Sequence, residues 1–422
     1  MKKVTVSIIT IGDELLIGQV VDTNSAWMAQ QLNKAGIWVQ HRVAVGDVKE
    51  DIWNALDEEG NRSDIILITG GLGPTADDIT KPVLCDYFGG KMVLHQPTLD
   101  HIMYLFEVVF KRTGPLLERN RNQAMVPDVC TVLSNVNGSA PGMLFEKNGK
   151  IFISMPGVPH EMKGIMTDHV LPLLKEQYRL PYIAHRTLIT FGIGESMVAE
   201  RIQHWEEALP PFIKLAYLPN YGLLRLRLTG NGEKALVDAA MEEAFNTLKG
   251  LVLPEMIADE DISMQQITGK ILLQQGKTLS TAESCTGGYI AHLITSVPGS
   301  SAWFYGSVVS YDNSVKQHLL DVKEDTLQSV GAVSEETVRE MVTGVLKAMK
   351  TDYAVAVSGI MGPDGGSPEK PVGTVWMAAG NGDSIEARKL HFRFDRAKNI
   401  ELTALNALNM LRAFMLKNAI QG

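Results

Sequence analysis

The sequence predicts an α/β protein, with two three-layer α/β domains, one towards each end, joined by a small α+β domain. Three observations predict it. Short β-branched runs alternate with helix-length stretches over the first 170 or so residues, and again from Ile262 onward. Between them, from about 175 to 255, the texture changes to a Leu/Arg alternation at Leu223–Leu228 and the tie-off Leu253-Pro254-Glu255. Finally, 422 residues exceed what one compact core holds, so two or three domains are expected.

In chain order, Val4–Ile11 reads as a buried strand, Thr23–Ala35 as a helix and Trp38–Val45 as a strand. Lys49–Glu59 follows as a helix, and Asp64–Thr69 as a strand ending at Gly70-Gly71. Strands spaced by helices of this length indicate a parallel sheet covered on both faces. Ile151–Met155 and Pro159–Leu174 supply a later strand and helix. In the middle, His185–Phe191 and Leu223–Leu228 are strands, and Ser196–Ala208 and Glu233–Leu248 are helices. Arg225 and Arg227 belong to one solvated strand face. Beyond the acidic run Asp259-Glu260-Asp261, helices are expected at Met264–Gln275, Gly288–Ser296, Glu335–Met349 and Asn399–Lys417. Strands are expected at Thr278–Ala282, Trp303–Ser310, Asp352–Ser358, Gly373–Ala379 and Leu390–Phe394. The domains then span 1–170, 175–252 and 258–422.

Composition narrows the function classes. With 45% hydrophobic and 21% charged residues, the chain is that of an ordinary globular protein. Its net charge of −9 repels phosphate backbones, and no basic stripe offsets it, so nucleic acid is not an expected partner. Cys85, Cys130 and Cys285 are few, odd in number and far apart, which suits a reducing compartment. Met1-Lys2-Lys3 before an apolar run superficially suggests a secretion signal. The run is short and leads into Gly12-Asp13-Glu14 rather than a cleavage site. No run approaches the ~20 apolar residues of a membrane span. The expectation is a cytoplasmic protein with no membrane partner.

Two constellations carry chemistry. In the first, the turn Thr69-Gly70-Gly71-Leu72-Gly73-Pro74-Thr75 follows a buried strand, where glycines let backbone N–H groups close on an anion. Asp77 and Asp78 come directly after it, Gly12-Asp13-Glu14 closes the first strand, and Asp22-Thr23-Asn24 opens the next helix. Carboxylates beside a phosphate cradle are what a hard divalent cation requires. Asp22, Asn24, Asp77 and Asp78 also suit plain helix caps.

In the second, Ser284 falls at a strand-to-helix junction, with Gly287 and Gly288 just inside the next helix, whose N-terminus would stabilise developing negative charge. A serine needs a base, and no His–Asp pairing lies nearby. Tyr311 at a strand end and Lys316 on the next helix offer a Ser–Lys site with a tyrosine hydroxyl between, provided burial depresses the lysine. Cys285 is a rival nucleophile. The loop Ser358-Gly359-Ile360-Met361-Gly362-Pro363-Asp364 can approach a phosphate or ribose, and Arg396 can clamp a phosphate. Each of these residues also has a plain reading: Ser284 as a cap, Lys316 on the surface, Tyr311 in the core.

These motifs carry a resemblance. Ile11–Gln19 with Asp22-Thr23-Asn24, Thr69–Thr80 and Met155–Met162 resemble the N-terminal signature of the CinA family, whose domain is similar to the molybdopterin-binding fold. The resemblance implies metal-dependent ADP-ribose pyrophosphatase activity, with Asp13, Asp22, Asp77 and Asp78 holding Mg²⁺ or Co²⁺ and pyrophosphate. Gly70, Gly71, Gly73 and Asn24 would lie on the substrate side. Molybdopterin binding is the rival, since a shared fold does not decide function. Ala282–Gly288, Pro298–Phe304, Gly331–Glu335 and Lys370–Trp376 resemble the family's C-terminal domain, which also occurs alone as nicotinamide-nucleotide amidohydrolase.

That likeness implies deamidation of nicotinamide mononucleotide without a cofactor, with Ser284 as nucleophile, Lys316 as base and Tyr311 as proton relay. Thr286, Gly287, Gly288, Gly359, Gly362, Asp364 and Arg396 would hold the substrate. Three departures stand out: Met361 where alanine is usual, Phe394 where glycine is usual, and Ile400 where a second arginine is common. The middle segment resembles the family's KH-like insert but lacks the Gly-x-x-Gly loop that clamps nucleic acid, which suits a spacer or oligomerisation unit. A homodimer is implied by the family alone. The remaining alternatives are a single-activity amidase and a non-enzymatic accessory protein of competence or DNA repair.

Overall fold

The computed structural model describes residues 4–75, 77–112 and 114–421; Met1-Lys2-Lys3 and Ala76, inside the Thr69–Thr80 motif, lie outside them. The chain divides into two compact units. One comprises the residues through His185 with 208–214 and 228–245, the other 186–207, 215–227 and 246 onward. The α/β class is as expected.

In the first unit, the strands are β1 (Thr5–Ile11), β2 (Trp38–Val45), β3 (Ile65–Thr69), β4 (Met92–Leu94), β5 (Met125–Pro127), β6 (Thr131–Leu133), β7 (Gly142–Lys147) and β8 (Lys150–Met155). The main sheet has the order β2-β1-β3-β8-β7-β6, and β4 and β5 form a separate ribbon. Pairing is parallel from β2 to β8, while β7 and β6 run antiparallel, so the sheet is mixed rather than wholly parallel. The period of two explains its two cores. Val6, Ile8, Ile65, Leu67 and Ile153 face one side, with Met28 and Met162; Ile9, Ile11, Ile66, Ile68 and Phe152 face the other, with Ile52 and Leu56. Each such fully buried side chain contributes about 1.5–3 kcal/mol.

The middle segment forms a four-stranded sheet, ordered β10-β11-β9-β12, from β9 (Tyr182–Phe191), β10 (Ile213–Asn220), β11 (Leu223–Gly232) and β12 (Met256–Ala258). The sequence reading missed β10 and β12. The first of these carries Lys, Pro and Asn among its apolar residues, and the second is three residues long. Arg225, expected on a solvated face, pairs with Asp261 at 3.0 Å.

The last sheet is built from β13 (Leu279–Glu283), β14 (Phe304–Val309), β15 (Tyr353–Gly359), β16 (Thr374–Gly380) and β17 (Ile385–His391), in the order β14-β13-β15-β16-β17. β13 lies between two parallel neighbours. Val355, Val357, Val375 and Met377 pack with the closing helix Arg396–Gln421, and Ala282, Ala354, Ala356 and Ala378 pack with helix Glu335–Met349 on the opposite face. Three layers result.

Two expectations need correction. The last strand is not Leu390–Phe394; it ends at His391, because antiparallel pairing of Gly380 with Ile385 and Thr374 with His391 sets its register. Its Glu386, Arg388 and Lys389 suit an exposed edge and hid it from a search for apolar runs. Gly287 and Gly288 do not lie inside the next helix, which spans Tyr289–Thr295. Their φ values of 61 and 97° are left-handed and form the turn before it.

Candidate functional sites

At the C-terminal ends of β14, β13 and β15, three chain segments emerge side by side. Ser310 N–H donates to the Glu283 carbonyl at 2.8 Å, and Ser284 N–H donates to that of Val357 at 3.1 Å. This is the edge at which parallel sheets bind ligands. A cavity of about 200 Å³ opens there, lined by Ser284, Tyr311, Lys316, Gly359, Met361 and Arg396, among others. Of the expected substrate residues, Gly359 and Arg396 line it; Thr286, Gly287, Gly288, Gly362 and Asp364 do not.

Lys316 is 1% exposed. Its helix, Asn313–Leu320, is capped by Asp312, which accepts from Ser314 N–H at 2.8 Å. The ammonium nitrogen donates to the carbonyls of Ser310 at 2.7 Å and Tyr311 at 3.1 Å. Burial pulls its pKa below the ordinary lysine value, against the opposing charge of Asp312. A neutral amine has two N–H donors and one lone pair; two carbonyls satisfy the donors and leave the lone pair for a proton. Burial pushes the Cys285 thiol up to about 12, away from the thiolate form that makes a cysteine reactive.

The hydroxyl of Tyr311 accepts from Arg396 at 3.0 Å, and Arg396 also donates to the Gly362 carbonyl at 2.8 Å. The phenol thus lies with the arginine, while the tyrosine's backbone carbonyl serves the lysine. Met361, 3% exposed, belongs to the hydrophobic core and forms part of the cavity wall. Behind it, buried Asn399 donates to the carbonyls of Met361 at 3.1 Å and Phe394 at 2.9 Å, tying the two loops together.

The expected helix-terminus field at Ser284 is taken up elsewhere. Glu283, wholly buried, accepts from the N–H groups of Gly288 at 3.1 Å, Ile290 at 2.9 Å and Ala291 at 2.8 Å. It also accepts from the hydroxyls of Thr286 at 2.6 Å and Ser307 at 3.2 Å. The N-terminal amides of helix Tyr289–Thr295 therefore face Glu283, and Thr286, Gly287 and Gly288 form the turn that brings them there. Sequence reasoning passed over Glu283 because its role rests on backbone donors, which no motif displays.

The first unit has its own cavity, of about 570 Å³, at the C-terminal ends of β1, β3 and β8. Gly70, with φ 116°, lets the turn pass Ile11; a Cβ there would overlap the Ile11 carbonyl oxygen. Gly70, Gly71, Gly73, Asn24, Asp22, Asp77 and Asp78 all line this space, whereas Asp13 does not. The Asp13 carboxylate instead accepts from Asp47 N–H at 3.2 Å, and Asp47 accepts from Asp13 N–H at 3.2 Å. Asp22 caps helix Thr23–Lys34 through Ser25, and Asp78 accepts from Thr75 N–H at 2.9 Å and its hydroxyl at 2.5 Å. Asn24 donates to the Gly157 carbonyl at 2.7 Å, and its Oδ1 is buried with no partner among the described residues.

Glu14, already placed by the sequence at the end of the first strand, joins the lining, as do Asp47 and Glu161, which were given no role because they are remote from the glycine turn. Burial, reinforced by the charges of Asp13, Glu14 and Asp77, raises the Asp47 carboxyl, and burial raises Glu161. Among the described residues, no group of three or more His, Cys, Asp or Glu is placed to hold a metal ion by itself. The hard oxygen donors fit Mg²⁺ in its usual manner, held by one or two carboxylates together with substrate phosphates.

Replacing Glu283 with Ala would leave three backbone N–H groups and two hydroxyls without their acceptor. We expect a loss of stability of at least about 3 kcal/mol, since each orphaned buried donor costs about 1–3 kcal/mol. Thermal unfolding checks this; an unchanged midpoint would mean that the network carries no weight.

The family model for the CinA C-terminal domain matches residues 261–415, that for a probable molybdopterin binding domain matches 7–176, and that for the damage-inducible protein CinA KH domain matches 185–252. A CinA-like protein of Cytophaga hutchinsonii is 45% identical over 406 residues, covering 96% of each chain. One of Flavobacterium psychrophilum is 43% identical, covering 98% of this chain and 99% of its own. A solved structure of competence/damage inducible protein CihA from Agrobacterium tumefaciens is 38% identical with a TM-score of 0.35, covering 36% of this chain and 94% of its own. With its three domains matched in order and near-complete alignment to such relatives, the chain belongs to the CinA family.

Proposed function

We propose that the C-terminal domain hydrolyses the amide of nicotinamide mononucleotide to nicotinate mononucleotide and ammonia. The N-terminal domain, in the same reading, cleaves the pyrophosphate of ADP-ribose with a divalent metal. The observation that carries the first activity is the gathering of Ser284, buried Lys316 and Arg396 around one cavity.

In this mechanism, Ser284 Oγ adds to the carboxamide carbon while its proton passes to the neutral Lys316 amine. The C–N bond then breaks, and Lys316 returns the proton to the departing nitrogen, which leaves as ammonia. Water, with Lys316 again as base, cleaves the ester to release nicotinate mononucleotide and restore the serine. Arg396 takes the substrate phosphate. A phosphate on Arg396 competes for the guanidinium that now donates to Tyr311, and so frees that hydroxyl for the expected relay to Lys316.

In the first unit, an acidic cavity repels pyrophosphate unless a cation intervenes. A bound Mg²⁺ or Co²⁺ would supply charge neutralisation and an activated water. One or two of the lining carboxylates Asp47, Asp77 and Asp78 would hold it together with the substrate phosphates, with Asn24 Oδ1 left to accept from the substrate.

Three outcomes test this reading. Ammonia release from nicotinamide mononucleotide should fall to background in Ser284→Ala and persist in Cys285→Ala; activity surviving the serine change would sink the amidase assignment. The rate should rise as pH climbs through the depressed Lys316 pKa, because only the neutral amine takes the proton. Lys316→Arg, charged at every accessible pH, should then be inactive throughout. With Mg²⁺ or Co²⁺, ADP-ribose cleavage should drop about 10–100-fold in Asp47→Asn and Asp78→Ala. An unaltered rate in both would remove the metal site from these carboxylates, and no cleavage by the wild-type chain would leave a domain that only binds a nucleotide or pterin.

A further inference from the structure

The tip of the β10–β11 hairpin bears Tyr221 in a left-handed conformation, φ 42°, followed by Gly222, whose carbonyl accepts from Gly192 N–H at 2.8 Å. Nothing in the sequence singled it out. In the structure its ring meets Phe394 edge-on, with centroids 5.4 Å apart and planes at 88°. The Lys398 ammonium, held by Glu401 at 2.7 Å, sits 3.6 Å from the centroid of the Tyr221 ring. Both contacts are attractive: a ring edge meets a ring face in one, and a cation faces a ring quadrupole in the other.

Those two partners flank Arg396, the residue assigned to the substrate phosphate. Phe394 N–H donates to Asn399 Oδ1 at 3.2 Å, and the Asn399 amide reaches back to the carbonyls of Phe394 and Met361. A contact at Phe394 and Lys398 is therefore connected, through Asn399, to the Met361 loop of the cavity and to the first turn of the helix that begins at Arg396. The hairpin is firmly based, since Leu223 and Ile189 belong to the same hydrophobic core as Met361 and Val375.

We propose that Tyr221 is a positioning residue of the amidase site: clasped by Phe394 and Lys398, it fixes the segment that presents Arg396 to the substrate phosphate. This rests on the amidase reading above. It gives the family-breaking Phe394 a purpose, because the ring is the surface on which the hairpin tip docks. It also gives the middle domain a task other than nucleic-acid binding.

The test uses the full chain with Tyr221→Ala, Tyr221→Phe, Phe394→Ala and the double alanine variant. With nicotinamide mononucleotide, Tyr221→Ala should raise KM about fivefold with kcat within a factor of two, a rise of the size one aromatic contact supports. Tyr221→Phe should restore the wild-type KM, since the ring and not the hydroxyl makes both contacts. Phe394→Ala should reproduce the Tyr221→Ala effect, and the double variant should add nothing to it. Hydrogen exchange over residues 392–400 should quicken in Tyr221→Ala but not in Tyr221→Phe. Unchanged exchange overturns the clasp whatever the activity, and quickened exchange with an unmoved KM overturns its link to the substrate. If the wild-type chain releases no ammonia, the amidase reading fails, and the exchange measurement still judges the clasp.

Discussion

The buried carboxylate of Glu283 is the constraint on which the C-terminal site depends. An unpaired charge at the centre of a sheet is among the costliest groups a fold can carry, unless donors surround it. Here three backbone amides and two hydroxyls do so, and all the amides come from the turn and helix that follow the nucleophile strand. Ser284 is the next residue in the chain, so the path that satisfies the charge also fixes where the serine stands. Lys316 reaches the same place from β14 through the carbonyls of Ser310 and Tyr311.

The two cavities share a plan and differ in charge. Each opens at the C-terminal ends of parallel strands, at the edge where side chains from several strands converge. In the first unit the wall is crowded with carboxylates, and burial together with mutual repulsion raises Asp47. In the second, a lysine and an arginine face the cavity, and burial lowers the lysine. The electrostatics are opposite: acidic side chains line one cavity, and a lysine and an arginine line the other.

Most of the architecture was legible in the sequence because buried strands announce themselves. Runs such as Ile65–Thr69 and Tyr353–Gly359 are apolar on both faces and flanked by turn residues. Of the strands that escaped or were misplaced, β10 and β17 are edge strands of mixed polarity, β4, β5, β6 and β12 have three residues each, and β7 is a largely buried strand that went unread. The site was half legible. Ser284, Lys316 and Arg396 were found from local pattern, and the cavity brings them together. Glu283, Asn399 and Asp47 were not, because each acts on groups distant in sequence or on main-chain atoms, and a residue's neighbours in the chain do not reveal either. Thr286 and Gly288 also hold the Glu283 carboxylate, a task that their motif does not display.

The manner in which Lys316 is held has an evolutionary side. Both of its acceptors are main-chain carbonyls, which every amino acid supplies. A side-chain change at position 310 or 311 therefore leaves both acceptors of the lysine in place, and at 311 it would cost only the hydroxyl that accepts from Arg396. An amine anchored in this way is robust to mutation of its neighbours, so the cavity rim can diversify around it.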